Sequence, residues 1–219
     1  MTAISRQLSA ASYPSTDGEP VAETFVHLYA MLITLEVLRQ YLAGQQATVL
    51  SNQFLYYAQG FPKLRVAPDV MVIFEVEPGG RDNYKIWEEG QTPAVIFEMT
   101  SASTQAQDQS YKKTLYAQLE VEEYWLFDPK GEWIPEKLRG DRLQGEEYVP
   151  ITDSISQRLN LRLSVEDTLI GFYRLDTGEK LLIPDELSAA LAEERQRREE
   201  LEAELARYRQ QFGDLPTDS

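Results

Sequence analysis

The 219-residue chain has no cysteine and one histidine, His27. Disulfides and thiolate metal sites are therefore excluded, and so is a zinc centre built from several imidazoles. A metal, if bound, has to be held by oxygen. Long uncharged runs are also missing. A membrane-spanning helix needs about 20 nearly uncharged residues, whereas the most apolar stretch, residues 25–42 (FVHLYAMLITLEVLRQYL), is broken by His27, Glu36, Arg39 and Gln40. It reads as a core helix, and no membrane partner is expected. Residues 1–20 (MTAISRQLSAASYPSTDGEP) lack the charged start and apolar centre of a signal peptide. They are expected to be a disordered leader on a protein of cytoplasmic location.

Positive charge is scarce. The formal net charge is −15, and residues 180–219 hold 6 basic and 10 acidic side chains, so −11 of it lies before them. Lys and Arg neutralising phosphates supply most non-specific affinity for nucleic acid, and this balance weighs against avid binding of that kind. What the chain does have is a core. It is 42% hydrophobic and 11% aromatic, enough for one packed domain plus an appendage.

Residues 22–43 show helical periodicity through Phe25, Leu28, Leu32, Leu35 and Leu38, stopped by Ala43-Gly44. Residues 48–58 and 68–76 read as strands, and a Pro-Gly-Gly turn at 78–80 leads to another at 84–88. Residues 94–100 are a strand, Ser101–Thr104 supplies N-cap chemistry for a helix over 104–119, and 122–128 is a strand stopped by Asp-Pro. Strand, helix and strand form a crossover, so 94–100 and 123–128 should be parallel neighbours in one sheet. Short strands are expected at 147–151 and 171–183. Residues 186–212 read as a charged helix with a heptad-like seam through Leu187, Leu191, Glu194, Arg198, Leu201, Leu205, Tyr208 and Phe212. The domain thus spans 21–185, and 186–219 forms a C-terminal helix and tail that could pair two copies as a homodimer.

Within the run Val95-Ile96-Phe97-Glu98-Met99, the glutamate is an acid inside a buried strand. Such a group needs a proton, a cation or a metal opposite it. Asp69 opens the strand Val70-Met71-Val72-Ile73-Phe74, and if the two strands pair, both carboxylates can project from one sheet face. Mg²⁺ is held by one or two carboxylates, with water and substrate phosphate completing its shell. On the following helix Asp108, Lys112 and Tyr116 recur every four residues, each step turning about 40° around the axis, so Lys112 can reach the carboxylates. Two acids, a lysine and an oxygen-bound Mg²⁺ or Mn²⁺ suit phosphodiester hydrolysis.

One ordered series links these residues: Pro68-Asp69-Val70-Met71-Val72, Trp87-Glu88-Glu89-Gly90, Val95-Ile96-Phe97-Glu98, Ser101-Ala102-Ser103-Thr104, Asp108, Lys112, Tyr116, and Glu123-Tyr124-Trp125 to Asp128-Pro129. Over residues 20–180 the series resembles the bacterial family of restriction-endonuclease-like domains within the PD-(D/E)XK nuclease superfamily. The resemblance implies an α/β fold with a restriction-endonuclease-like central mixed β-sheet flanked by helices, and Mg²⁺-dependent hydrolysis of DNA. Asp69 then corresponds to the motif aspartate and Glu98 to the second acid, both metal-holding. The motif lysine is absent, its position being Thr100, and Lys112 stands in for it. Glu23 and His27 resemble the family's ETxxH pattern, as metal-shell or substrate contacts.

Other readings of the same residues stand beside this one. Glu98 and Lys112 can form a structural ion pair, Asp69 can cap a turn, Asp108 can answer a helix dipole, and His27 can be a satisfied helix histidine. A catalytically degenerate member of the fold, serving as an interaction or assembly module, is the alternative to the nuclease. A dimer gathering Lys63, Arg65, Lys112 and Lys113 of two copies around one groove would bind DNA locally despite the net charge.

Overall fold

The protein is described by a computed structural model covering residues 11–16, 18, 24–101 and 108–213, with only the backbone described for Asp108 and Gln109. Two compact units result, residues 1–181 and 182–219. The second carries one helix, Pro184–Phe212, with Pro184 in its first turn and the Glu186 side chain accepting the Ile183 N–H at 3.1 Å.

The first unit begins with α1 (Phe25–Tyr41), whose N-cap Thr24 accepts the His27 N–H through its hydroxyl. Its buried face runs through His27, Ala30, Met31, Ile33, Thr34, Val37 and Leu38. The expected seam is therefore rotated: Phe25, Leu28 and Leu32 are exposed and His27 points inward. Apolar residues surround this helix on nearly every side, so periodicity alone does not choose its face.

The central sheet has six strands in the order β1 (Ala47–Leu50), β4 (Val70–Phe74), β6 (Val95–Met99), β7 (Glu123–Phe127), β8 (Leu138–Gln144) and β9 (Glu147–Ile151). It is mixed. The β6–β7 pair is parallel, as the crossover requires, and the other neighbours are antiparallel. All residues of β6 and β7 are buried, as expected of strands covered on both faces. One face carries Met71, Ile73, Ile96, Tyr124 and Leu126, covered by Tyr116 of α3 (Lys113–Gln118). On the other, the Phe97 ring meets Trp125 at 6.4 Å and Phe172 at 6.0 Å. Phe172 belongs to an antiparallel sheet of β10 (Ile155–Ser156), β11 (Leu161–Glu166) and β12 (Leu169–Arg174).

A third sheet joins β2 (Leu55–Tyr56) to β3 (Arg65–Val66) and β5 (Tyr84–Lys85). Here the expected strand at 48–58 proves to be two strands in different sheets. Asn52, at φ 51°, turns the chain between them. The expected strand at 84–88 stops at Lys85, because Ile86–Glu89 forms a helical turn, α2, closed by Gly90 at φ 78°. The helix expected over 104–119 is described from Asp108, where a π-helical turn (Asp108–Lys112) precedes α3. The expected strand over 171–183 ends at Arg174, with one further bridge from Tyr173 to Lys180. Part of the expected disordered leader is instead seated: Tyr56 Oη donates to the Pro14 carbonyl at 2.5 Å, and the Tyr13 ring packs on Tyr56 and Trp87.

Strand β8 (LRGDRLQ) is not among the strands expected from the sequence. Gly140 shows why it is a strand. It lies opposite Trp125, and a Cβ built there would sit 2.5 Å from the indole ring, so the ring occupies the space a side chain would take. Gly140→Ala should therefore cost about 1–3 kcal/mol through overpacking. Urea unfolding followed by Trp fluorescence checks this, and an unchanged midpoint would contradict it.

Candidate functional site

Glu98 on β6 has 1% of its surface exposed. Its carboxylate is gripped at both oxygens: Lys112 Nζ lies 2.9 Å from Oε2, and Tyr116 Oη donates to Oε1 at 2.6 Å. Both partners come from one helical face. Lys112 closes the π-helical turn with α-helical backbone angles, φ −63° and ψ −42°, which preserves the four-residue step to Tyr116. The cation offsets the cost of burying the acid, and the phenol fixes its rotamer.

Asp69 is placed by the turn at Asn52, whose N–H reaches the carbonyls of Pro68 at 3.0 Å and Asp69 at 3.2 Å. The β4–β6 register pairs Val70 with Phe97. Carried one residue further, that register sets Asp69 across from Glu98. The Asp69 Oδ2 accepts the Met99 N–H at 2.6 Å and faces His27 Nε2 at 3.6 Å. Its side chain keeps 19% of its surface exposed, so the carboxylate looks outward where Glu98 does not. Thr100, the residue at the position of the absent motif lysine, donates its N–H to the Phe127 carbonyl at 2.7 Å. Its Oγ1 is buried without a hydrogen-bond partner among the described residues.

Glu98, Lys112 and Tyr116 thus meet directly, and Asp69 binds the residue next to Glu98 with His27 behind it. Glu23 lies outside the described residues, as does the Asp108 side chain. Tyr57 adds a further link at the foot of β2: burial first, and then a hydrogen bond with Tyr111, push its phenol up to about 12. Tyr111 adjoins Lys112.

Three buried acids escaped the sequence reading as individual sites, and each is satisfied by protein. Glu123 accepts from Ser156 Oγ at 2.5 Å, from the Gln157 N–H at 2.8 Å and from Arg142 at 3.3 Å. Asp128 accepts the N–H groups of Gly131, Trp133 and Ile134, tying the turn after β7. Asp141 pairs with Lys113 at 2.8 Å. The Asp-Pro-Lys-Gly stretch was a readable turn signal for the second of these. Two clefts lie elsewhere, one of about 690 Å³ between α1, β1 and residues 78–80, the other of about 730 Å³ between α3 and β9. Neither is lined by Asp69 or Glu98. Among the described residues no group of three or more His, Asp and Glu side chains is arranged to hold a metal.

The family model of Uma2, described as "Putative restriction endonuclease", matches residues 9–178. The chain belongs to this family. Uma2 membership makes the fold that of a nuclease family, and restriction-endonuclease-like proteins generally use divalent metal ions. The chain is also similar to a crystal structure titled as a putative nuclease from Anabaena variabilis ATCC 29413. The two are 16% identical with a TM-score of 0.49, over 70% of this chain and 87% of that one. No curated protein matches. Among the described residues, no helix of this Uma2 chain is long and apolar enough to cross a membrane.

The grip on Glu98 has a measurable consequence. Lys112→Met leaves a buried carboxylate without its cation and should destabilise by about 3 kcal/mol. Adding Glu98→Gln, which removes the charge and keeps a hydrogen-bonding group for Tyr116, should restore more than half of that. Chemical denaturation of the single and double variants reads the coupling. Additive losses would show that the pair does not interact.

Proposed function

We propose that the protein is a divalent-metal-dependent endonuclease that hydrolyses phosphodiester bonds of DNA, with Asp69 and Glu98 as metal-holding residues and Lys112 as the catalytic cation. The observation that carries this reading is the grip on Glu98. An acid buried in the centre of a sheet is held by a lysine and a tyrosine one helical turn apart, one strand from an aspartate that still reaches the surface.

The residues fit a hard dication. Asp69 and Glu98 offer carboxylate oxygens from neighbouring strands, and Mg²⁺ asks a protein for one or two of these. The orphaned Thr100 hydroxyl adds a polar oxygen at the same strand end. Such an ion draws its other ligands from water and substrate. When bound, Mg²⁺ or Mn²⁺ would polarise a phosphoryl oxygen and acidify water.

The chain's own groups do the rest. Lys112, aimed by Glu98, would donate to the attacking water and to a non-bridging oxygen as charge builds in the pentavalent state. Tyr116 keeps Glu98 from turning away. The Met99 N–H and His27 hold Asp69 in place. Asp108 and Glu23 are proposed as supporting residues, and the C-terminal helix as the surface that pairs two copies.

A second reading is favoured by Thr100 at the motif-lysine position and by the net charge of −15. It makes the protein a degenerate nuclease fold acting as an interaction module. Plasmid nicking separates the two. The nuclease should convert supercoiled DNA to open circles with Mg²⁺ or Mn²⁺ and not with EDTA, and Asp69→Ala or Glu98→Ala should lower the rate at least about 100-fold. Activity that survives in both variants would reject the assignment of the site, and no nicking with any divalent metal would favour the module.

A further inference from the structure

The net charge hides a marked asymmetry. No aspartate or glutamate occurs between Glu36 and Asp69, nor between Asp108 and Glu120. These two acid-free segments are the ones that meet at the site: the first ends on Asp69, and the second carries Lys112 and Lys113. Lys112 and Lys113 are themselves paired with Glu98 and Asp141, so the cations to offer a polyanion on this side are those of the first segment.

The first segment contains the hairpin of β2 and β3, whose loop (Tyr57-Ala58-Gln59-Gly60-Phe61-Pro62-Lys63-Leu64) ends in an aromatic ring facing water. Phe61 is 63% exposed and Leu64 42%. The loop is nonetheless pinned. The Phe61 N–H reaches the Ala58 carbonyl at 3.2 Å, the Leu64 N–H reaches that of Phe61 at 2.9 Å, and the Gly60 N–H donates to Tyr13 Oη at 2.6 Å. Pro62 restricts the backbone beside the ring. In the stem, the Arg65 guanidinium lies 4.0 Å over the Phe54 ring and donates to Tyr56 Oη at 3.3 Å. Among the described residues neither Arg65 nor exposed Lys63 has a carboxylate partner, and Lys63 stands beside Phe61 on the solvent side of the loop.

Two connections tie this hairpin to the site. Only Ala67 and Pro68 separate β3 from Asp69. On the other side, Tyr57 at the foot of the loop has its phenol pushed up by burial and by the nearby Tyr111, the neighbour of Lys112 in the chain. A rigid tip with an exposed aromatic ring and an adjacent lysine has the chemistry of side chains that wedge between base pairs and hold the flanking phosphate.

We infer that the hairpin is a DNA wedge: Phe61 enters the base stack beside the bond to be cut while Lys63 contacts the neighbouring phosphate. This rests on the nuclease reading, and the test keeps the two apart. A short duplex carrying 2-aminopurine at successive steps is titrated with the full chain at low salt, Ca²⁺ replacing Mg²⁺. The wild type should bind and brighten the probe at one step. Phe61→Ala should bind about ten-fold more weakly and leave the probe dark, the loss of one stacked base. Phe61→Trp should keep both signals, and Lys63→Ala should lower the slope of log affinity against log salt by about one. Binding and brightening unaltered in Phe61→Ala would overturn the wedge while leaving the nuclease standing. A lower melting temperature in that variant would also overturn it, since the ring would then belong to the fold. A wild-type protein that binds no duplex would remove both.

Discussion

A carboxylate shut inside a six-stranded sheet must be compensated, and that requirement organises this molecule. Glu98 is surrounded by Ile96, Leu126 and the rings that cover them, and its charge is tolerable there because a cation and a phenol reach it from the crossover helix. The pairing constrains the helix in turn. Lys112 and Tyr116 have to share a face, and the π-helical turn ends at Lys112 rather than falling between the two. The same contact fixes where the ammonium sits, 2.9 Å from Glu98, on the strand next to the one that Asp69 opens.

The peripheral structure serves this arrangement. Asn52 adopts a left-handed backbone so that the chain leaves the central sheet after β1, builds the small sheet, and returns with Asp69 anchored to Asn52 through the main chain. Helix α1 turns His27 inward to Asp69 at the expense of exposing Phe25, Leu28 and Leu32. The other buried acids, Glu123, Asp128 and Asp141, are each engaged by protein donors and hold turns and strands together. Their satisfaction separates them from Asp69, which keeps an outward face.

Much of the core was legible because its strands are continuous apolar runs. Val70–Phe74, Val95–Met99 and the crossover to Glu123–Phe127 were readable, and the parallel pairing followed from connection rules. Glu98 stood out for the same reason, as a charge where only apolar residues belong. Strands β8 and β11 were not legible, since LRGDRLQ and LRLSVE owe their conformation to partners: Trp125 over Gly140, Glu123 against Arg142, Phe172 against Leu163. The buried face of α1 was misread because leucines on its outer side imitate a core stripe. The π-helical turn left no local trace in the sequence.

We propose that the oxygens of Asp69 and Glu98 form one site for a hard dication. Crystals soaked in Mn²⁺ and measured for anomalous scattering test it most directly. A single strong peak is expected within coordination distance of both carboxylates, with Lys112 Nζ close by. A peak elsewhere, or none beside Glu98 while its contacts to Lys112 and Tyr116 persist, would contradict it and leave the acid as half of a structural ion pair.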